Sequence, residues 1–120
     1  MIDSPGRPYR SFLDCLWDVE IPFGGQVRIF FTQFNTEKIQ DVLVLGNGTD
    51  SDDEDSVILR ASGRERPKDI IGYARNLWLR FTTDSVNEMS GWTVVIEAMP
   101  YTGWLASLFM CVCVCVCVNF

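Results

Sequence analysis

Apolar and polar residues alternate in short runs along most of this chain. Between residues 13 and 21, the apolar side chains of Cys15, Trp17, Val19 and Ile21 occupy every second position. A period of two gives a β-strand one apolar and one polar face, whereas an amphipathic helix needs a period of about 3.6. Residues 13–99 show no helical period. The body of the chain is therefore predicted to be all-β.

Further runs follow at intervals of roughly twelve residues, with turn residues between them, which is typical of an antiparallel β-sandwich of about a hundred residues. Residues 42–45 are continuously apolar, which predicts a central strand buried on both faces. Trp78 is out of phase with Leu77 and Leu79, so we expect it to face the second, outer surface. The remaining runs lie at 27–31, 57–59, 70–71, 77–81 and 92–96.

The composition excludes several classes of function. The chain has 120 residues, a formal net charge of −6 and no histidine. This length allows one domain. Without histidine, Ser-His, Cys-His and His-metal catalysis are excluded, so an enzyme has little support. The negative charge disfavours nucleic acid and anionic membranes and favours partners that carry basic groups or cations.

The two ends of the chain differ from its body. The N-terminus lacks a positive region followed by an apolar run, so no export signal is predicted there. Residues 98–120 carry no charge over 23 positions, which is long enough for a membrane-spanning helix. Cysteine and valine alternate strictly at 111–118. We interpret this segment as the read-through product of a dinucleotide repeat, with a membrane anchor as the alternative.

The cysteines of this tail do not suggest a site of their own. In a strand, alternate residues lie about 6.6 Å apart, which is too far for disulfides between neighbouring cysteines of the same strand. Four thiolates in a line also do not form the tetrahedron that zinc requires.

Several motifs in the body occur in an order and spacing that resemble the CUB domain family. They are Ser4-Pro5-Gly6 with Cys15-Leu16-Trp17-Asp18-Val19, Phe31-Thr32-Gln33-Phe34-Asn35-Thr36-Glu37 with Asp41-Val42-Leu43-Val44-Leu45, and then Gly63, Pro67, Ile70, Asn76, Leu77, Leu79, Phe81, Asp84 and Gly91-Trp92. The resemblance implies a jelly-roll β-sandwich over residues 4–99, followed by the tail at 100–120. It also implies that the first strand is missing, because only three residues precede Ser4.

The cysteine pattern departs from that of most CUB domains, which commonly carry two disulfides. Lys38-Ile39-Gln40 and Ser62 stand where the second pair would be expected. This double absence resembles the CUB repeats of CUB-and-sushi multiple-domain proteins. The resemblance also implies that Cys15 has lost its partner, which would lie upstream of Ser4. Loss of a native disulfide costs a small domain about 2–5 kcal/mol.

The resemblance implies a calcium site. Many CUB domains bind Ca²⁺ through acidic residues at the positions of Glu37, Asp41 and Asp84, and Asn87 matches the position of a further ligand. Ca²⁺ takes six to eight oxygen ligands, which two loops at one end of a sandwich can supply. Only three residues separate Glu37 from Asp41.

Two other motifs are weaker. Residues 50–55 are strongly acidic, but they lack the glycine and terminal glutamate of an EF-hand, so we interpret them as a solvated loop. Asn47-Gly48-Thr49 is an N-glycosylation sequon on a predicted turn. Its use requires passage of the chain through the secretory pathway.

These features favour an extracellular, non-enzymatic, calcium-dependent protein-binding module that belongs to a larger protein. Its acidic loops would accept a lysine or arginine of a protein partner. Two alternatives stay open, namely a truncated gene product without independent function and a membrane-tethered CUB module. A glycosidase-like carboxylate pair would need a substrate cleft that a sandwich of this size rarely has.

Overall fold

The computed structural model describes residues 1–6, 8–21, 25–84, 89–99 and 112–119, with residue 99 and the last segment described as backbone. These residues form nine β-strands and one short 3₁₀ turn at Glu54–Ser56. The strands are β1 Ile2–Asp3, β2 Leu13–Glu20, β3 Gln26–Asn35, β4 Val42–Asn47, β5 Val57–Ala61, β6 Ile70–Tyr73, β7 Asn76–Thr82, β8 Gly91–Met99 and β9 Val112–Asn119.

The strands form two antiparallel sheets. One sheet has four strands in the order β1-β8-β3-β6, and the other has five in the order β5-β4-β7-β2-β9. This arrangement is compatible with the jelly-roll sandwich of a CUB domain. The all-β prediction from the alternating runs is confirmed.

The inward faces of the two sheets form the core. In β2, Cys15, Trp17 and Val19 are buried, and the side chains between them are more exposed. The ring of Trp17 packs edge-on against that of Trp92 in the other sheet, with centroids 5.3 Å apart. Phe81 packs in the same manner against Trp92 at 5.6 Å. Aromatic pairs of this geometry add to the stabilisation from buried area.

The first strand departs from the expectation in part. Ile2 and Asp3 form the two-residue β1, in register with Val94 and Thr93 of β8. Ser4 extends this contact, because its amide donates to the Trp92 carbonyl at 2.9 Å and its hydroxyl accepts from the Trp92 amide at 3.0 Å. A short first strand is therefore present beside β8.

The second departure concerns β4, which was expected to be buried on both faces. It is a central strand between β5 and β7, as predicted. Leu43 and Leu45 are fully buried, but Val42 and Val44 are only half-buried. The reason is that β4 belongs to a two-layer sandwich, in which one face of each sheet packs inward and the other is partly open to solvent.

Trp78 lies on the outer face of its sheet but is 1% exposed. The acidic segment at 50–55 and the adjoining Ser56 lie over this face. The indole Nε1 of Trp78 donates to the Ser56 hydroxyl at 3.1 Å. The indole also lies against Gly46, where a Cβ atom would be 2.0 Å from the ring. Trp78 lies on the expected face of the sheet, but its ring is covered and does not form an exposed aromatic surface.

The acidic segment is otherwise a solvated loop, as predicted. The Asp52 side chain is 88% exposed, and its carboxylate lies 3.7 Å from the Arg80 guanidinium. Asp50 and Asp53 cap their own turns by accepting from the amides of Asp52 and Asp55.

Part of the tail continues the five-stranded sheet. β9 runs antiparallel to β2, and its register places Cys117 opposite Cys15. Cys15 is fully buried and disulfide-bonded, which corrects the expectation that it lacks a partner in this chain. That expectation followed the family pattern, in which the partner cysteine lies upstream of Ser4. Among the described residues, no helix is long and apolar enough to cross a membrane.

Candidate metal-binding site

Three of the four predicted metal ligands converge at one end of the sandwich. Glu37 follows β3, Asp41 immediately precedes β4, and Asp84 lies just beyond β7. Strands β4 and β7 are neighbours, and their register pairs Val42 with Thr82. This pairing brings Asp41 and Asp84 to the same end of the sheet. One carboxylate oxygen from each of the three residues lies within 4.8 Å of the other two.

The loop between Glu37 and Asp41 is held in a tight turn. The Asp41 amide donates to the Glu37 carbonyl at 3.0 Å, and the Thr36 hydroxyl donates to the Asp41 carbonyl at 2.9 Å. Ile39 has a φ of 72° in this turn, and its side chain is 73% exposed. The left-handed region is unfavourable for a β-branched residue. The backbone is therefore strained between the two carboxylates.

Hydrogen bonds join this loop to the segment around Gly63, near the position at which many CUB domains are expected to have a disulfide. The Thr36 amide donates to the Gly63 carbonyl at 2.8 Å, and the Gly63 amide donates to the Thr36 hydroxyl at 3.0 Å. The Ile39 amide donates to the Ser62 hydroxyl at 2.9 Å. Ser62, at the expected cysteine position, thus links the two segments without a covalent bond.

Asp41 is the centre of the site and is fully buried. Its Oδ2 accepts a hydrogen bond from the Tyr9 hydroxyl at 2.6 Å, and its Oδ1 accepts from the Asp84 amide at 2.9 Å. The Tyr9 hydroxyl in turn accepts from the Glu37 amide at 3.2 Å. Tyr9 therefore connects the N-terminal segment with both ends of the loop between Glu37 and Asp41.

Burial affects the pKa of both the Asp41 carboxyl and the Tyr9 hydroxyl. Burial raises the pKa of the Asp41 carboxyl above its usual range, although hydrogen bonds from Tyr9 and the Asp84 amide act in the opposite direction. Burial, together with the hydrogen bond to Asp41, raises the pKa of the Tyr9 hydroxyl. Removal of a carboxylate from water is unfavourable unless a cation or hydrogen-bond donors compensate for the lost solvation.

The three carboxylates fit a calcium ion. With Ca–O distances of about 2.3–2.6 Å, two ligand oxygens on one ion are at most about 5 Å apart, which matches the observed spread. Each oxygen of Asp41 retains a lone pair beyond its one hydrogen bond. Glu37 and Asp84 are half-buried, so the cluster borders solvent. An all-oxygen donor set is the chemistry that calcium prefers.

The other predicted site residues have different outcomes. Asn87, the fourth predicted ligand, lies outside the described residues. Asn47 is exposed at the end of β4, and its Nδ2 donates to the Tyr73 carbonyl at 3.0 Å. Sequence reasoning missed Tyr9, because its partner Asp41 is 32 positions away. A tyrosine next to Pro8 in a polar N-terminal segment was the only local signal for it.

Comparison with known proteins identifies the family. The family model of the CUB domain matches residues 1–95. The chain belongs to the CUB domain family. CUB domains are generally extracellular protein-interaction modules and are not themselves catalytic. The closer resemblance to CUB-and-sushi repeats stays a prediction.

The relatives of this CUB domain are much longer proteins. It is similar to Tolloid-like protein 2 of Mus musculus, with 32% identity over 98 residues that cover 77% of this chain and 10% of the relative. It is also 30% identical to the exoskeleton protein RP43 of Riftia pachyptila, covering 66% of this chain and 20% of that protein. Cubilin of Canis lupus familiaris is 29% identical over 100 residues, which make up 78% of this chain and 3% of cubilin.

Proposed function

We propose that this CUB domain is an extracellular module that binds a basic protein partner in a calcium-dependent manner. The observation that carries the proposal is the convergence of Glu37, Asp41 and Asp84, with one carboxylate oxygen of each within 4.8 Å of the others. Such a cluster repels itself unless a cation or a proton compensates for its charge. Calcium binding to these residues is consistent with the CUB family.

The residues would have different parts in this function. Asp41 is buried and fixed by Tyr9 and the Asp84 amide, so it would hold the ion from the inner side. Glu37 and Asp84 border solvent, and we propose that their oxygens also accept the ammonium or guanidinium group of a partner. When bound, calcium would supply charge that fixes the two loops in one arrangement. Charge-assisted pairs of this kind favour specificity and fast association.

The N-glycosylation sequon belongs to the same proposal. We propose that the sequon at Asn47 is glycosylated when the chain enters the secretory pathway, since Asn47 is exposed.

The binding function is tested with an immobilised peptide that contains several lysines, with binding measured in Ca²⁺ and in EDTA. If the peptide bound only through attraction to the net negative charge of the protein, binding would be weaker in calcium, because the ion neutralises negative charge. The proposed mechanism predicts stronger binding in calcium. Glu37→Gln should remove this calcium-dependent gain. Asp18→Asn, which changes the net charge equally at an exposed position of β2, should retain it.

Binding that is equal or weaker in calcium would contradict the proposed partner chemistry. Loss of the gain in both variants would show that net charge, rather than the Glu37 site, controls binding. Direct titration of calcium into the same proteins separates the failure of partner binding from the failure of metal binding.

A further inference from the structure

Strand β5 forms an open edge of the five-stranded sheet. Among the described strands it pairs only with β4, so every second backbone N–H and C=O of β5 points away from the sheet. Its sequence is Val-Ile-Leu-Arg-Ala, which contains no proline and one charge. That charge, Arg60, forms an ion pair with Glu54. Exposed strand edges of such composition readily pair with another extended chain.

A cleft lies along this edge, between β5 and the segment that leads to β6. It has a volume of about 570 Å³. Apolar side chains contribute to its lining, and Ile58 is 43% exposed. Leu59, Ala61 and Ile70 are partly buried residues that pack on the core, so the apolar side of the cleft is fixed. These apolar residues are Ile58, Leu59, Ala61, Pro67 and Ile70.

The rim of the cleft carries positive charge that other described residues do not neutralise. Arg66 and Lys68 are exposed and have no ion pair with another described residue. The acidic groups at the rim are Glu65 and Asp69, and Asp69 is paired with Arg28 at 3.2 Å. With Arg60 paired to Glu54, Arg66 and Lys68 share the rim with one carboxylate, Glu65, that forms no ion pair with a described residue. This excess is notable on a chain with a net charge of −6.

We propose that this cleft binds an extended acidic peptide segment of a partner protein, which adds a strand to the edge of β5. Backbone hydrogen bonds to β5 would provide the pairing, as in other cases of strand addition. Alternate side chains of the peptide would lie against the apolar lining. Carboxylates of the peptide would pair with Arg66 and Lys68. This surface is separate from the acidic site at Glu37, Asp41 and Asp84 and favours a partner of opposite charge.

The test uses the full chain labelled with ¹⁵N in EDTA buffer, so its result does not depend on the proposed calcium site. The probe is a blocked six-residue peptide that alternates valine and glutamate, compared with one that alternates valine and lysine. We expect saturable shifts of the β5 amide signals with the glutamate peptide only. Arg66→Glu should weaken this binding roughly tenfold. Arg75→Glu, an equal charge change at an exposed position away from the cleft, should leave it within about twofold of the unchanged protein.

Three results would overturn the proposal. They are shifts that avoid β5, equal binding of the lysine peptide, and equal weakening by Arg66→Glu and Arg75→Glu. Lys68→Glu serves as a second variant, and equal unfolding midpoints of all proteins establish that the fold is unchanged.

Discussion

The hydroxyl of Tyr9 donates a 2.6 Å hydrogen bond to Oδ2 of Asp41, and both residues are fully buried. The same hydroxyl accepts from the Glu37 amide, so one side chain positions both ends of the loop between Glu37 and Asp41. The ring of Tyr9 packs edge-on against Phe81 at 5.0 Å, which ties the site to the core.

Replacement of Tyr9 by phenylalanine should destabilise the domain while preserving its packing against Phe81. The buried Asp41 carboxylate would lose one donor, which costs roughly 2 kcal/mol in the free energy of unfolding. Urea denaturation in EDTA measures this loss. Tyr73→Phe is the matched control, because Tyr73 is 74% exposed and its replacement should change stability by less than about 0.5 kcal/mol. Equal effects of both variants would contradict the role assigned to the Tyr9 hydroxyl.

Replacement of Ile39 by asparagine should stabilise the domain. Ile39 has a φ of 72°, and asparagine tolerates this region better than a β-branched residue does. The side chain is 73% exposed, so little packing is lost. We expect a gain of roughly 0.5–1 kcal/mol in the free energy of unfolding by urea denaturation. Ile71→Asn, at a residue that is 63% exposed but lies in a regular strand, should show no gain.

Gly46 should not tolerate even a methyl group. A Cβ atom at this position would lie 2.0 Å from the Trp78 ring, so the indole would have to move from its buried position. We expect Gly46→Ala to cost several kcal/mol, roughly 2–4, measured by chemical denaturation. Gly72→Ala is the control, since nothing lies within 4 Å of its Cβ position and the change occurs in a regular strand. Equal stability of the two variants would show that Trp78 is not held against Gly46.

The ion pair between Asp14 and Arg80 should make stability depend on acid pH. Two hydrogen bonds of 2.8 Å and 2.7 Å from the Arg80 guanidinium hold the pKa of Asp14 below its usual range. The pKa of Asp14 is therefore lower in the folded protein than in the unfolded chain, where it is about 3.9. The stabilisation from the ion pair is complete above the unfolded pKa and is lost as pH falls through the folded pKa. Asp14→Asn should lower stability by roughly 1 kcal/mol at pH 7 and flatten the acid dependence.

Urea denaturation from pH 7 to pH 2 in EDTA checks this expectation. Asp18→Asn, on the same strand with an exposed side chain, should retain the acid dependence of the unchanged protein. An unaltered pH profile in Asp14→Asn would contradict the assignment of this dependence to the Asp14 pair.

Local patterns predicted most of the strands, because the two-residue period depends only on which face of a strand is buried. The convergence of Glu37, Asp41 and Asp84 was predicted through family resemblance, and the register of β4 against β7 gives its physical basis. Features set by distant segments were harder to foresee. The burial of Trp78 depends on a loop more than twenty residues away that covers an outer sheet face.

Tyr9 illustrates the same limit within the site. No periodicity marks it, and its role depends on a hydrogen bond to a residue 32 positions away. Cys15 is similar, because its environment depends on the pairing of β2 with β9 near the other end of the chain. In both cases the partner lies far along the chain and becomes known only when the sheets assemble.

The central claim is that Glu37, Asp41 and Asp84 hold calcium in a folded CUB domain. Thermal unfolding of the full chain in millimolar Ca²⁺ and in EDTA tests it most directly, because a ligand that binds only the folded state raises the midpoint. For affinities typical of extracellular modules, we expect a rise of roughly 5–10 °C. Glu37→Gln should lose this rise while still unfolding cooperatively in EDTA, and Asp18→Asn should retain it. A cooperative transition with the same midpoint in both buffers would contradict the calcium site, and the absence of a cooperative transition in either buffer would favour a truncated product without independent function.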